Sequence, residues 1–242
     1  MPRVLSEADV ADFRERLCEA AEKLFAEKGP DAVTMRQLAA ELGVSPMTPY
    51  RYFADKEDIL AAVRTNGFNR FAEALETALT KTQGSARAKS TAVGEAYLNF
   101  AFEHPQTYKL MFDLNQPHEK DYPDLVAAAA RANAMQSAYI RGLVESGFMQ
   151  GDPEEIGRMY WAATHGAVTL ELAGKLPSGA ARTLSRQLGQ TLARGLRPGA
   201  EAKYFPPPLR RAIAYGCHPG LRSKTGTHEH RRFRIRLGGA RP

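Results

Sequence analysis

Apolar residues recur at three- and four-residue spacing from Ser6 to Leu196, with almost none of the alternation that a half-buried strand requires. The pattern predicts an all-α chain of about nine helices. Val10, Phe13, Leu17, Ala21, Leu24 and Phe25 form one stripe on a helix from Glu7 to Lys28, which Gly29 stops. Thr34, with Gln37 three residues later, is a capping box opening a short second helix, Met35 to Leu42, ended by Gly43. Ser45 is the predicted cap of a third, and Asp55 with Asp58 starts a fourth. There Ile59, Leu60, Val63, Phe68, Phe71, Leu75 and Leu79 continue one face to Gly84, a helix long enough to link two domains.

Further helical patterns cover 86–103, 105–114, 123–146, 153–175 and 179–196, separated by Pro, Gly, Asn or Asp. Asp152-Pro153-Glu154-Glu155 is the clearest start: a cap, a proline at the first helical position, and acids facing the positive end of the dipole.

The predicted third helix, within Gly43–Phe53, is only about two turns long and contains both Pro46 and Pro49, although an interior proline costs about 3 kcal/mol. With Ser45 as cap, Pro46 takes the first position, where its lack of an N–H removes no bond. Pro49 deletes the amide that should bond back to Ser45 and biases Thr48 away from helical angles. Either the first turn is loosened, or the helix starts late with Thr48 as cap.

Two short helices around a tight turn, preceded by a longer one, are the layout of a helix-turn-helix, whose last helix meets base edges in the major groove. Arg51 suits a phosphate or a bidentate contact to guanine, the hydroxyls of Tyr50 and Tyr52 suit phosphates, and Phe53 suits the core. Lys56 sits near the start of the fourth helix, where the dipole disfavours a cation unless an anion is close; a phosphate is such an anion.

A chain of 242 residues, 43% hydrophobic, can bury a sizeable core as one large domain or two small ones. No run approaches the roughly 18 apolar residues of a membrane span, and MPRVLSEADV lacks a signal-peptide core, so a cytoplasmic location with no membrane partner is expected. The two cysteines, Cys18 and Cys217, argue against a disulfide framework, and Cys18 reads as a small apolar filler. Net charge is +6, but residues 200–242 hold ten Lys and Arg against Glu201 and Glu229, a balance of +8, leaving −2 for the rest. Overall charge therefore says nothing about DNA for the helical part. The stretch 198–242 reads as a basic tail, disordered or loosely attached, that could add sequence-independent attraction to DNA.

Residues 20–60, AAEKLFAEKGPDAVTMRQLAAELGVSPMTPYRYFADKEDIL, resemble the amino-terminal domain of TetR-family transcriptional regulators. The resemblance implies a homodimer whose paired helix-turn-helix units bind a palindromic double-stranded DNA operator, with a helical carboxy-terminal domain that binds a small-molecule inducer and releases DNA. Carried over by position, the DNA contacts are Thr34, Arg36, Ser45, Met47, Thr48, Tyr50, Arg51, Tyr52 and Lys56. Pro49 stands where the family commonly has Leu. Half-buried aromatics are the plainer alternative for Tyr50 and Tyr52. The expected division is a head over 1–55, a ligand-binding and dimerisation domain over 56–197, and the tail.

Residues 161–175, WAATHGAVTLELAGK, resemble a carboxy-terminal domain of the same family named for its Trp-His-Gly signature. Ala162, Ala163, Gly166 and Ala167 allow close helix approach and, with Leu184, Leu188, Gly189 and Leu192, suggest a dimeric four-helix contact. Trp161 and His165 share a face: a hydrogen-bonded core histidine packed on an indole is the simpler account, a ligand contact the other. Phe100, Phe102, His104, Tyr108, Met111 and Phe112, with Met135 and Tyr139, are candidates to line a pocket between helices, though core packing uses the same residue types.

No phosphate loop, metal-spaced His pair or nucleophile with a base is present, so no enzyme, cofactor or metal is expected. Cys217, His218, His228 and His230 match no standard zinc spacing. The competing reading to a regulator is a helical module that binds small molecules or proteins and uses its helix-turn-helix only for packing.

Overall fold

The computed structural model describes residues 6–113 and 119–199. The tail beyond Gly199, with Cys217 and its neighbouring histidines, lies outside the described residues. The fold is all-α: among the described residues there are eight α-helices, three single 3-10 turns and no strand. The helices are α1 (Glu7–Lys28), α2 (Met35–Glu41), α3 (Lys56–Lys81), α4 (Ala86–Glu103), α5 (Pro105–Met111), α6 (Pro123–Glu145), α7 (Pro153–Leu172) and α8 (Ala180–Gly195).

The ends follow from the capping chemistry. Ser6 and Asp9 close a reciprocal capping box on α1, and Thr34 and Gln37 do so on α2. Asp55 accepts from the Asp58 amide at the start of α3, and Asp152 from that of Glu154 at the start of α7. Behind α2 the chain reverses at Gly43, with φ +66°. The Val44 amide donates to the Ala39 carbonyl (3.0 Å) and the Gly43 amide to that of Ala40 (3.1 Å), the paired bonds of a Schellman stop. Gly43→Ala is expected to lower stability by about 1 kcal/mol because a side chain disfavours this left-handed backbone. Urea unfolding followed by circular dichroism checks it.

Two hydrophobic clusters share α3. Toward its start, Ile59 and Val63 pack with Leu17, Leu24, Phe25 and Leu38. Farther along, Phe68, Phe71 and Leu75 join a larger core with α4, α5, α6 and α7. The short helix α5 belongs to both, placing Leu110 in the first and Tyr108 and Met111 in the second. It lies so close to α3 that a Cβ on Gly67 would meet Met111 Cγ at 2.9 Å.

Candidate nucleic-acid interface

The expected third helix is not an α-helix. Only Pro49–Arg51 forms a regular turn, of the 3-10 kind, with Thr48 before it at helical angles. The physical reason is the missing N–H of Pro49: the Ser45 carbonyl accepts from Thr48 at 2.8 Å instead, and the amides of Tyr52 and Phe53 both point to the Pro49 carbonyl at 3.0 and 3.1 Å. Pro49 itself is buried, filling the inward position of the turn.

Burial of Pro49 and Phe53 turns the remaining side chains outward. Met47 is 68% and Tyr50 49% exposed, large values for side chains of this size. Ser45 and Arg51 are also exposed, and Thr48 is half-buried. At the start of α2, Thr34 and Arg36 are exposed as well, although the Thr34 hydroxyl already donates to Gln37 Oε1 at 2.9 Å. Neither Arg36 nor Arg51 has an ion-pair partner among the described residues. A guanidinium and a phenol on a proline-stiffened turn, with a second guanidinium on α2, are the group types that grip phosphates and guanine edges.

Two of the nine expected contacts are engaged elsewhere. The Tyr52 ring stacks on Phe13 of α1, 4.3 Å between centroids, so the half-buried alternative describes it better than a free phenol does. Lys56 donates to the Pro30 carbonyl at 2.7 Å, which supplies the negative partner expected from a phosphate. Arg14 escaped the sequence reading: its guanidinium lies 4.0 Å from the Phe53 ring and donates to the Tyr52 carbonyl, fixing the end of the turn. Its partners are some forty residues away in sequence, and no local signal marks them. Cys18 is buried, which pushes its thiol up to about 11 and leaves a protonated filler, not a nucleophile.

In the helical domain the aromatic candidates divide. Tyr108, Met111, Phe112, Met135, Tyr139 and Trp161 come together in one core, with the His165 ring 4.8 Å from that of Phe112 and 5.9 Å from that of Trp161. Phe102 packs at the margin of that core, and His104 is exposed at the α4–α5 break, against Phe100. His104 thus stands outside the packed aromatic core. A polar chain crosses the core: the hydroxyls of Tyr97 and Tyr108 are 2.6 Å apart, Tyr108 Oη lies 2.7 Å from His165 Nδ1, and Thr169 Oγ1 lies 3.4 Å from Nε2. The histidine is hydrogen-bonded within the core, the simpler of the two accounts. Of the nine expected lining residues, only Tyr139 borders the cleft of about 530 Å³ that opens between α4, α6, α7 and α8.

Burial holds the His165 imidazole below its ordinary range. The unfolded chain, titrating near about 6.5, then binds a proton that the folded ring refuses, so stability is full above that pH and declines as pH falls. Thermal midpoints are expected to drop between about pH 7 and 5.5, and to drop less in His165→Gln.

The expected dimer face also divides. Ala167 is buried within the protomer and cannot contribute. Met159 (41% exposed), Ala163, Gly166 and Leu170 (45%) form an outward stripe on α7, where a Cβ on Gly166 would meet nothing within 4 Å. On α8 only Ala181 is buried; Leu184, Leu188 and Leu192 are half-exposed along one side.

Comparison with known proteins adds independent findings. Residues 17–63 match the family described as bacterial regulatory proteins, tetR family, and residues 90–197 the one described as tetracyclin repressor-like, C-terminal domain. The uncharacterized HTH-type transcriptional regulator Rv0681 of Mycobacterium tuberculosis is 29% identical over 165 residues, 66% of this chain and 71% of its own. Among solved structures, a Rhodococcus sp. RHA1 protein of unknown function is similar with TM-score 0.69 and 28% identity over 82% of this chain and all of its own. The TetR family transcriptional regulator PfmR of Thermus thermophilus follows at TM-score 0.57 and 26% identity, covering 76% of this chain and all of its own.

Proposed function

Starting from the chain's membership of the tetR family of bacterial regulatory proteins, as a DNA-binding transcriptional regulator, we propose that it is a cytoplasmic homodimeric repressor of a palindromic operator, released by a small-molecule inducer. The division into a head over 1–55, an effector and dimerisation domain over 56–197 and a basic tail is part of the proposal. The observation that carries it is the exposed turn with Tyr50 and Arg51, packed against the helix α2 that bears Arg36, two cations without ion-pair partners among the described residues on a body whose net charge is slightly negative. Such a surface attracts DNA locally rather than through overall charge.

The outward stripes on α7 and α8 support the dimer: small residues flanked by Met159 and Leu170 on one helix, three leucines on the next. Helix α5 supports the coupling of effector to head. Tyr108 joins the polar chain ending at His165, and on the adjacent position Thr107 donates to Glu22 of α1, which also pairs with Arg70 of α3 at 3.0 Å. A shift of α5 is therefore felt at both cores, and an inducer need only bind its two positions unequally to change the separation of the heads.

The test is retention of fragmented genomic DNA by the full chain. Fragments sharing an inverted repeat are expected; retention without sequence preference contradicts the proposal.

A further inference from the structure

The cleft of about 530 Å³ between α4, α6, α7 and α8 is within the ~300–1,000 Å³ of small-molecule sites. Its apolar lining includes Leu98, Leu143 and Met149, all buried, with the rings of Tyr139, Phe148 and Tyr160. Five guanidiniums border the same space, Arg87 of α4 with Arg182, Arg186, Arg194 and Arg197 of α8 and its end, against one carboxylate, Glu95. That carboxylate is already matched: Arg182 donates to it at 2.8 Å and Arg186 stands 3.9 Å away. Arg87, Arg194 and Arg197 have no carboxylate partner among the described residues.

Arg194 and Arg197 are at the carboxy end of α8, where a helix dipole favours cations. Arg87 has no dipole reason to be there; its guanidinium lies 5.8 Å from the Phe148 ring, and that of Arg197 6.0 Å from the same ring, contacts that supply neither with a counter-ion. Arg87 occupies the first turn of α4, the positive end, in a turn with no acidic residue. Ser185 Oγ, also bordering the cleft, is buried and has no hydrogen-bond partner. A single ligand feature answers the guanidinium excess, the misplaced Arg87 and the Ser185 hydroxyl together: an anionic, oxygen-rich head.

We propose that this cleft is the effector site and that its ligand is an amphipathic anion, a carboxylate or phosphate head at the arginines on an aliphatic body against Leu98, Leu143 and Met149. The inference rests on the ligand-responsive function above, and it sets the effector beside the aromatic core expected from the sequence, not within it. Gly94 borders the cleft inside α4, and a Cβ there would meet nothing within 4 Å. Gly94→Leu therefore adds an aliphatic side chain to the cleft wall at a position open to a Cβ, while improving helix propensity by about 1 kcal/mol.

Calorimetric titration of the full chain, below micelle-forming concentrations, uses octanoate, octyl phosphate, octanol and octylamine. Both anions are expected to bind, the tighter identifying the head, with octanol at least about tenfold weaker and octylamine silent. Gly94→Leu is expected to abolish anion binding with a thermal midpoint no lower than the parent's, and Arg186→Glu with Arg194→Glu to weaken it at least about tenfold. Octanol binding as tightly as the anions, binding of neither anion, or unchanged binding in both variants overturns the site. Retention of genomic DNA is measured on the same preparation: sequence-specific retention without anion binding removes this site alone, whereas anion binding without retention removes the repressor.

Discussion

Arg51→Ala is expected to weaken operator binding by at least about tenfold, since a guanidinium lost from a base or phosphate contact costs about 1–3 kcal/mol and a dimer loses two. The thermal midpoint should not move, because Arg51 is exposed and has no ion-pair partner among the described residues. A gel-shift titration at several salt concentrations separates the two kinds of contact. A phosphate contact lowers the salt slope by about 1 per guanidinium, whereas a guanine contact relaxes the preference at one base pair of each half-site. Undiminished affinity would show that the turn does not meet DNA.

Leu188→Glu is expected to divide the proposed dimer and lower operator affinity by about a hundredfold or more. Leu188 is half-exposed midway along the apolar side of α8, between Leu184 and Leu192, so a carboxylate there is tolerated by the protomer. In a two-fold contact the substitution appears twice, placing two charges in a desolvated centre. The two heads then bind independently and lose an avidity of about 10²–10⁴. Sedimentation velocity reads the assembly and the gel shift reads the affinity. A variant that stays dimeric moves the contact off α8, and a monomer that binds the operator undiminished removes the need for a dimer.

Periodicity and caps make most of the helices legible in the sequence. The apolar stripe of α1, the Thr34–Gln37 box and the Asp152-Pro153 start are each local, and each element begins where its cap stands. The proline effect in the turn was also local and readable, but its extent was not. Removing one amide leaves a single 3-10 turn in place of an α-helix, because too few residues follow before Asp55 restarts the chain.

Long-range partners left no trace in the sequence. Arg14 under Phe53, Lys56 on the Pro30 carbonyl and the Glu22–Arg70–Thr107 group join residues far apart in the chain, and spacing carries no information about them. The aromatic candidates pose a different problem. Residue type marked Tyr108, Phe112, Trp161 and His165 as inward-facing, which they share with a packed core; whether space remains between them depends on helix packing. Three arginines of the cleft, Arg182, Arg186 and Arg194, lie on the amphipathic helix α8, whose charged positions resemble any solvated face until α4 is seen opposite.

In the proposed dimer, two copies of the proline-led turn grip successive grooves on one side of a duplex. Hydroxyl-radical footprinting of the full chain on a recovered genomic site measures this directly. The predicted pattern is two protected patches related by a dyad, about 34 Å apart on one face of the DNA, both fading in Arg51→Ala. A single patch, uniform protection, or an unchanged footprint in the variant contradicts it.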